Sequence, residues 1–330
     1  MKQTPAFTGE LNADSGHLEL GVNLAPSHPS GLALKNPICA ASGTFGYGIE
    51  YARLVNIQRL GAIFVKGTTL RPRRGAEPPR VVETPAGMLN AVGLQNPGIE
   101  AVVREKAPLW AKWTVPVVVN VAGEAVEDYV GVAQALDGVP GIAAVELNIS
   151  CPNVACGGMA FGADPALAAE LTREVRSACS LPLIVKLTPN VSDIRHVAAA
   201  VEEAGADALT LINTVLGLSI DIEARKPYLG NVTGGLSGPA IRPIAVRMIY
   251  QVAQVVSIPI VGVGGIMTVE DAVELMMAGA TAVQVGTASF ADPTAVERVL
   301  DGLPLWMRAH GVMNVREIVG VANSTTTLTC

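Results

Sequence analysis

The sequence predicts an α/β fold, a (β/α)8 TIM barrel with an N-terminal β-hairpin and long insertions after strands 2 and 6. Eight short apolar runs alternate with amphipathic stretches of helical length. Glycine precedes several runs, as at Gly61, Gly205 and Gly279, which is typical of a helix that ends before a buried parallel strand. Because no linker divides the chain, we expect one domain over residues 18–330 behind a polar extension, residues 1–17.

The elements follow in order from the pattern. Alternating apolar residues from Leu18 to Leu24, the turn segment Pro26–Gly31 and the run Leu32–Leu34 predict the hairpin, which would plug the bottom of the barrel. The predicted strands are Ile38–Ala41, Ile63–Lys66, Val117–Asn120, Ala144–Asn148, Leu183–Lys186, Ala208–Ile212, Ile260–Val263 and Ala282–Val285. The predicted helices are Glu50–Arg59, Ile99–Trp113, Val126–Leu136, Pro165–Cys179, Ser192–Ala204, Pro239–Val256, Thr268–Ala278 and Pro293–Ala309. A doubly wound open sheet is the alternative, but it would leave the last strands unused.

Capping signals support three of the helices. Asp164 and Asp292 each precede a proline, which predicts a capping carboxylate before a proline at the first helical position. Thr268 and Asp271 have the spacing of a capping box.

Two segments are too long to be simple connections. Leu70–Gly98 follows strand 2 and Thr214–Thr233 follows strand 6, so both leave the face on which barrels build active sites. We expect them to be lids or pocket walls. The first carries four arginines, which a solvated loop also explains: Arg71, Arg73, Arg74 and Arg80.

Composition narrows the class of protein. The formal net charge of −6 and pI near 5.3 do not favour nucleic acid or an anionic membrane as a partner. The apolar runs fall far short of the roughly 20 residues that a membrane helix needs, and the N-terminus lacks an apolar signal core. Five scattered cysteines fit a reducing compartment better than a disulfide framework. We therefore expect a cytoplasmic protein.

The segment Val145–Gly162, VELNISCPNVACGGMAFG, is the strongest candidate for chemistry. It begins as a buried strand and breaks into a loop with small polar residues, which is how a barrel presents reactive groups. The candidates are Asn148, Ser150, Cys151 and Asn153. An isolated buried cysteine is usually inert, but at the mouth of a barrel we favour a reactive thiol.

Other strand ends also carry polar groups. Lys66 and Lys186 end apolar strands, where a lysine either faces an anion or reaches solvent; two at one mouth favour the anion. Asn120, Asn148 and Asn213 would add neutral donors and acceptors to the same site. Any single one of them could instead only form hydrogen bonds to the loop backbone.

Glycines at the ends of strands 7 and 8 predict a phosphate site. The runs are GVGGI from Gly262 and GTAS from Gly286, with Gly234–Gly238 upstream, and together they favour a phosphate-bearing cofactor over simple tight turns. The four histidines lie away from every predicted strand end, so neither a histidine-based triad nor a metal site is expected.

Taken together, the motifs of this sequence resemble those of one known family. The runs NPICAASGTFGYG, FVKGTTLRPRRG, GMLNAVGLQNPG, VNVAG, ELNISCPNV, IVKLTPN, LINT, GGLSGPAI, IPIVGVGGI and VQVGTASF occur in this order. Over about residues 18–310 the sequence resembles dihydroorotate dehydrogenases, specifically the class 1B catalytic subunit, and the SCPN loop is the most specific piece.

The resemblance implies FMN as cofactor and oxidation of dihydroorotate to orotate in pyrimidine synthesis. Cys151 matches the base that removes a proton from C5 while a hydride leaves C6 for flavin N5. The matching substrate positions are Lys66, Asn90, Ala91, Val92, Gly93, Leu94, Asn148, Asn213 and Thr214. The matching cofactor positions are Ser42, Lys66, Gly67, Asn120, Asn148, Lys186, Ile212, Gly238, Gly264, Gly265, Gly286 and Thr287.

The resemblance also implies a partner. Class 1B subunits work with a second subunit that carries FAD and a 2Fe–2S cluster and passes electrons to NAD, and this chain has no four-cysteine cluster motif of its own. We expect one FMN per subunit and a homodimer at the core of a heterotetramer. The GGMAFG and LINT runs look like class 1B rather than the fumarate-using class 1A. Cys156 has no matching role, although it could form a disulfide with Cys151 on oxidation.

Three alternatives stay open. The chain could be an FMN barrel that acts on another dihydropyrimidine, or a class 1A-type enzyme that uses fumarate. A non-enzymatic barrel that senses a phosphorylated metabolite is the third, and it would contain no flavin.

Overall fold

A computed structural model describes residues 17–150 and 161–325. In these ranges the strands in chain order are β1 Val22–Asn23, β2 Ala33–Leu34, β3 Ile38–Ala40, β4 Ile63–Thr68, β5 Val81–Thr84, β6 Gly87–Asn90, β7 Val117–Val121, β8 Ala144–Asn148, β9 Leu183–Lys186, β10 Ala208–Leu211, β11 Val215–Gly217, β12 Ile220–Asp221, β13 Lys226–Pro227, β14 Gly234–Ser237, β15 Ile260–Val263 and β16 Ala282–Val285. The α-helices in the same ranges are α1 Ile99–Ala101, α2 Ala107–Trp110, α3 Val126–Leu136, α4 Pro165–Ala178, α5 Ile194–Glu203, α6 Arg242–Val252, α7 Val269–Ala278, α8 Ala288–Ala291 and α9 Ala295–Ala309.

Eight parallel strands close into a barrel. Their order around it is β3, β4, β7, β8, β9, β10, β15 and β16, and β16 pairs with β3 to complete the ring. The predicted (β/α)8 TIM barrel is therefore confirmed, and its strands agree with the predicted ones to within two residues at either end. The strands are apolar on both faces because helices cover the outside and side chains fill the inside.

The predicted N-terminal hairpin is also confirmed. β1 pairs antiparallel with β2, in the register Val22 to Leu34, and directly precedes the first barrel strand. Val22, Leu24, Leu32 and Leu34 are buried and belong to the same apolar cluster as the barrel strands. The hairpin thus adds apolar contacts to the barrel core instead of standing apart from it.

Two of the predicted caps are present. The Asp164 carboxylate accepts hydrogen bonds from the backbone N–H groups of Ala166 and Leu167, at 2.8 and 3.2 Å. Thr268 and Asp271 form the reciprocal capping box of α7. Each pair satisfies backbone donors that the first helical turn leaves without partners.

The predicted helix Glu50–Arg59 is wrong. The segment forms turns, and only Ile57–Arg59 is helical, as a 3-10 turn capped by Asn56. Two contacts accompany these turns: the Glu50 carboxylate accepts the N–H of Tyr47 at 2.9 Å, and Tyr51 stacks on Phe45 with ring centroids 4.0 Å apart. Local tertiary contacts thus outweigh the helical pattern of the sequence.

The last predicted cap is also wrong. Asp292 does not start the final helix; its carboxylate accepts hydrogen bonds from the N–H and hydroxyl of Thr294, at 2.8 and 2.7 Å, and α9 begins at Ala295. The residues before it form the separate short helix α8. Asp292 therefore closes a turn between two helices.

The two long insertions meet in one structure. Strands β5 and β6 from the first insertion and β11 from the second join β14 in an antiparallel sheet with the order β11, β14, β6, β5. Pairing of Asn90 with Gly235 and of Leu89 with Leu236 connects the two parts of the chain. Within the described ranges no helix is both long and apolar enough to cross a membrane.

Candidate active site

One cavity of about 720 Å³ opens at the carboxyl ends of the barrel strands, with the antiparallel sheet as one wall. It brings together every described residue for which the resemblance implied a substrate or cofactor contact. These are Ser42, Lys66, Gly67, Asn90, Ala91, Val92, Gly93, Leu94, Asn120, Asn148, Lys186, Ile212, Asn213, Thr214, Gly238, Gly264, Gly265, Gly286 and Thr287. Cys151, Asn153 and Cys156 lie outside the described residues.

The two lysines reach the cavity in different settings. Lys186 is buried, with 6% of its surface exposed, and its Nζ donates a hydrogen bond to the Ser42 hydroxyl at 3.2 Å. Lys66 is half-buried, and burial lowers its pKa below the ordinary lysine value. The positive charge of Arg80 lowers that pKa further, whereas the negative charge of Glu50 opposes the shift. A cation in this position favours an anionic ligand, because the ligand would compensate the desolvated charge.

Hydrogen bonds fix the amide of Asn148. Its Oδ1 accepts from Asn213 Nδ2 at 3.2 Å and from the backbone N–H of Ser150 at 3.4 Å. The Ser150 hydroxyl donates a hydrogen bond to the carbonyl oxygen of Lys186 at 3.0 Å, which ties the start of the loop to β9. With its oxygen engaged, Asn148 directs its amide NH₂ elsewhere, and its place in the cavity wall makes it a donor to a ligand.

Tyr129 contacts a residue before and a residue after the segment that contains the predicted catalytic cysteine. Its hydroxyl donates to the carbonyl oxygen of Asn148 at 3.0 Å, and its ring meets Phe161 edge-on with centroids 5.9 Å apart. Ser150, the last described residue before Cys151, lines the cavity. In the sequence, Cys151 directly follows this wall residue.

Backbone groups at the ends of β15 and β16 suit an anion. Gly265 has φ +79°, and a Cβ there would lie 2.6 Å from Arg242 Cβ, so the position requires glycine. Within the described ranges, the backbone N–H groups of Gly265 and Thr287 have no protein acceptor. Two such donors at neighbouring strand ends match the phosphate position of the fold.

The two backbone amides just before α7 are already occupied. Asp271 accepts the backbone N–H groups of Met267 and Thr268, both at 2.9 Å. The amides of Gly265 and Thr287, rather than these two, are thus the donors that we consider for an anion. The upstream run Gly234–Gly238 was predicted as part of the phosphate site. Most of it forms β14, a strand of the cavity wall, and neighbouring atoms lie close to its glycines.

Asn190 is a wall residue that sequence reasoning missed. Its Nδ2 donates to the carbonyl oxygen of Thr214 at 3.0 Å, and its Oδ1 accepts the N–H of Leu216 at 2.8 Å. It thereby fastens the second insertion to the loop after β9. Its position at the end of the LTPN run, just beyond a predicted strand, was the available signal.

Sequence reasoning also missed a polar layer inside the barrel. Glu146 is completely buried and accepts hydrogen bonds from the side chains of Asn120, Thr210 and Gln284. A charged or amide residue within a short apolar strand, as in VELN or AVQV, was the sign of such a layer.

Two of the four arginines in the first insertion contact other side chains of the protein. Arg73 pairs with Glu124 at 2.6 Å, and Arg80 donates to the Gln95 side chain at 3.0 Å. The solvated-loop interpretation therefore fits these two. Among residues 17–150 and 161–325, no cluster of three or more histidine, cysteine or acidic side chains could hold a metal ion.

The fold and the cavity define an α/β-barrel enzyme that binds small polar ligands at the carboxyl ends of its strands. The family model described as dihydroorotate dehydrogenase matches residues 26–307. This chain belongs to the dihydroorotate dehydrogenase family, as the resemblance predicted, and is an oxidoreductase.

Three relatives make the match more specific, and each is named dihydroorotate dehydrogenase B (NAD(+)), catalytic subunit. The protein from Desulforudis audaxviator is 55% identical over 296 residues, which is 90% of this chain and 96% of the relative. The protein from Geobacillus kaustophilus is 54% identical over 88% of this chain and 93% of its own. The protein from Geotalea uraniireducens is 50% identical over 92% and 98%.

Proposed function

We propose that this chain oxidises dihydroorotate to orotate with FMN, as the catalytic subunit of a B-type, NAD-linked dihydroorotate dehydrogenase of pyrimidine biosynthesis. The observation that carries the proposal is the single cavity in which two lysines, three strand-end asparagines and two glycine-containing strand ends meet. The names of the relatives support the B-type assignment.

The residues around the cavity fit FMN. The backbone donors of Gly265 and Thr287 suit its phosphate, and the buried Lys186 suits the negative charge that reduction places on the ring system. Asn120 adds a directed polar contact beside Gly67. When bound, FMN would supply the acceptor, at N5, for the hydride that leaves C6 of the substrate.

The substrate is a planar, carboxylated ring, and the remaining wall suits it. Lys66, with its desolvated charge, would pair with the carboxylate. Asn148 would donate from its NH₂ group, while Asn213, Thr214 and Asn90 provide further polar contacts on the wall. Several directed hydrogen bonds in an enclosed site would orient the ring for reaction.

Cys151 would act as the base. Its place one residue after Ser150, a residue of the cavity wall, supports this role. The thiolate would take the proton from C5 as the hydride leaves C6, so the substrate loses two electrons and two hydrogens. Because a free thiol has a pKa of roughly 8.5, the step needs nearby donors or concerted hydride departure near neutral pH.

The electrons would leave through a partner. We propose a homodimer of this chain at the core of a heterotetramer with a subunit that carries FAD and a 2Fe–2S cluster. The words "catalytic subunit" in the relatives' names support a second subunit. The purified chain alone should then reduce NAD far more slowly than the co-expressed complex, and equal rates would count against a separate electron-transfer subunit.

Two variants test the chemistry. We expect Cys151→Ala to bind FMN but to lose dihydroorotate oxidation, because the base is missing and the cavity is intact. Cys156→Ala is the matched control, a cysteine on the same segment with no assigned role, and it should stay active. An active Cys151→Ala with an inactive Cys156→Ala would reverse the assignment.

Ligand titrations separate the remaining possibilities. Orotate should shift the visible spectrum of the bound flavin, and uracil, which lacks the carboxylate, should do so weakly. A stronger response to uracil would indicate another dihydropyrimidine as substrate. Rapid reoxidation by fumarate would indicate the class 1A reaction, and a colourless protein without flavin would indicate a sensor.

A further inference from the structure

A buried carboxylate lies in the barrel interior beneath the cavity. Glu146 is completely buried, and its three hydrogen-bond partners, Asn120, Thr210 and Gln284, are each at most 2% exposed. Glu146 lies on β8, and its three partners lie on β7, β10 and β16, so the four residues come from four strands. Of these four residues, Asn120 alone lines the cavity, so the layer connects the barrel interior to the ligand site through one amide.

The hydrogen bonds determine how that amide is turned. Asn120 Nδ2 donates to Glu146 Oε1 at 2.6 Å, while Thr210 Oγ1 and Gln284 Nε2 donate to Oε2 at 2.8 and 3.4 Å. Each carboxylate oxygen of Glu146 thus has at least one donor, and a carboxylate oxygen is an acceptor. The NH₂ end of Asn120 must therefore face Glu146, whichever way an isolated amide would turn.

The other end of the amide faces the ligand side. Asn120 Oδ1 lies 3.0 Å from the position that a Cβ on Gly67 would take, and Gly67 lines the cavity. Asn120 thus presents an acceptor beside Gly67. Without Glu146, the amide would be free to reverse and present a donor instead.

We propose that Glu146 is a positioning residue for the flavin: it holds Asn120 with Oδ1 toward the cavity, as the acceptor for the ring N–H of FMN. Glu146 also places a negative charge in the barrel interior, where Lys186 is the buried cation at the cavity. The inference rests on the proposed FMN site, since it assigns a group of the flavin to Asn120. Glu146 acts through Asn120 and touches no ligand itself.

The first test replaces the carboxylate with an amide of the same shape. Glu146→Gln keeps one acceptor oxygen and replaces the other with an NH₂ group, so the side chain at position 146 no longer requires the NH₂ end of Asn120 to face it. We expect the dissociation constant of FMN, measured by fluorescence quenching on apoprotein, to rise roughly ten- to a hundredfold. The midpoint potential of bound FMN should become more positive, because a nearby negative charge is gone.

The matched control is Thr210→Val, which removes another donor to the same carboxylate and leaves the Asn120 bond in place. We expect it to lower the melting temperature of the apoprotein while FMN affinity and midpoint potential stay at wild-type values. If Glu146→Gln behaves like Thr210→Val in all three measurements, Glu146 has only a structural role and the proposal is wrong.

A double variant covers the case in which Glu146→Gln fails to fold. Asn120→Asp combined with Glu146→Gln exchanges the two groups, so an amide again donates to a carboxylate and an acceptor oxygen again faces the cavity. We expect this protein to fold and to recover most of the FMN affinity. A double variant that folds but binds FMN weakly or not at all would refute the inference.

The results also separate this inference from the proposed function. If the wild-type apoprotein does not bind FMN, both the proposed cofactor and the role of Glu146 are wrong. If the wild type and Glu146→Gln bind FMN with the same affinity and potential, the cofactor assignment stands and only the role of Glu146 is wrong.

Discussion

The variant Gly286→Ala tests the phosphate position without disturbing the barrel. Gly286 has no left-handed backbone conformation, and a Cβ there would approach Ala41 Cβ no closer than 3.4 Å and Thr44 no closer than 3.9 Å. These are ordinary contacts, so the protein accepts the methyl group. Both neighbours line the cavity, so the methyl group takes space that the cofactor needs.

The structure gives opposite signs for the two measurable effects of Gly286→Ala. A Gly→Ala change at a compatible position stabilises a protein by about 0.4–1 kcal/mol, because the unfolded chain loses freedom. An added methyl group in a filled site costs about 1–3 kcal/mol. We therefore expect urea unfolding of the apoprotein to show unchanged or slightly higher stability, and the dissociation constant of FMN to rise about 5- to 150-fold.

A control and two outcomes make the Gly286 test decisive. In Gly21→Ala the new Cβ lies 3.7 Å from the Leu34 carbonyl oxygen, away from the cavity, so neither stability nor FMN affinity should change much. Unaltered FMN affinity in Gly286→Ala would refute the phosphate assignment. A loss of apoprotein stability above about 2 kcal/mol would instead show that the methyl group strikes protein, contrary to the contact distances.

Two further predictions concern charges. Because burial lowers the pKa of Lys66, orotate affinity should fall as pH rises through that lowered pKa. The variant Lys66→Arg stays charged and should abolish this pH dependence. A wild-type orotate affinity that does not change in alkaline solution would contradict the prediction. Asp207 accepts from Arg176 at 3.1 Å and from the Leu183 N–H at 2.8 Å, so Asp207→Asn should cost about 1–3 kcal/mol in urea unfolding. Asp193→Asn, an exposed cap that asparagine also serves, is its control and should change little.

The barrel and most of its site could be predicted because the relevant signals are local. An apolar run such as Val117–Val119 followed by Asn120 shows both a buried strand and the residue at its end. The parallel barrel then brings all such ends to one face. Lys66, Asn148 and Lys186 were found in this way, and the structure places each in the same cavity.

The two insertions line the cavity, as predicted for lids or pocket walls, but the pairing of their strands could not be predicted because it is not local. β6 and β14 pair through Asn90 and Gly235. Nothing in the sequence of either segment indicates that it pairs with a segment so far away in the chain. The failed helix Glu50–Arg59 has a different cause: Tyr51 stacks on Phe45, only six residues away, and this contact competes with the helical pattern of the sequence.

The two asparagines at the ends of β7 and β8 show how the barrel determines the polarity of its cavity. Asn120 has its NH₂ end bound by Glu146, and Asn148 has its oxygen bound by Asn213 and Ser150. The same residue type therefore presents an acceptor at one strand end and a donor at the next. The identity of the strand-end residues predicts that a polar ligand binds, but the partners behind them decide which ligand group each can receive. Replacing Glu146, the one of these partners that does not line the cavity, should thus alter ligand preference without any change to a residue that the ligand contacts.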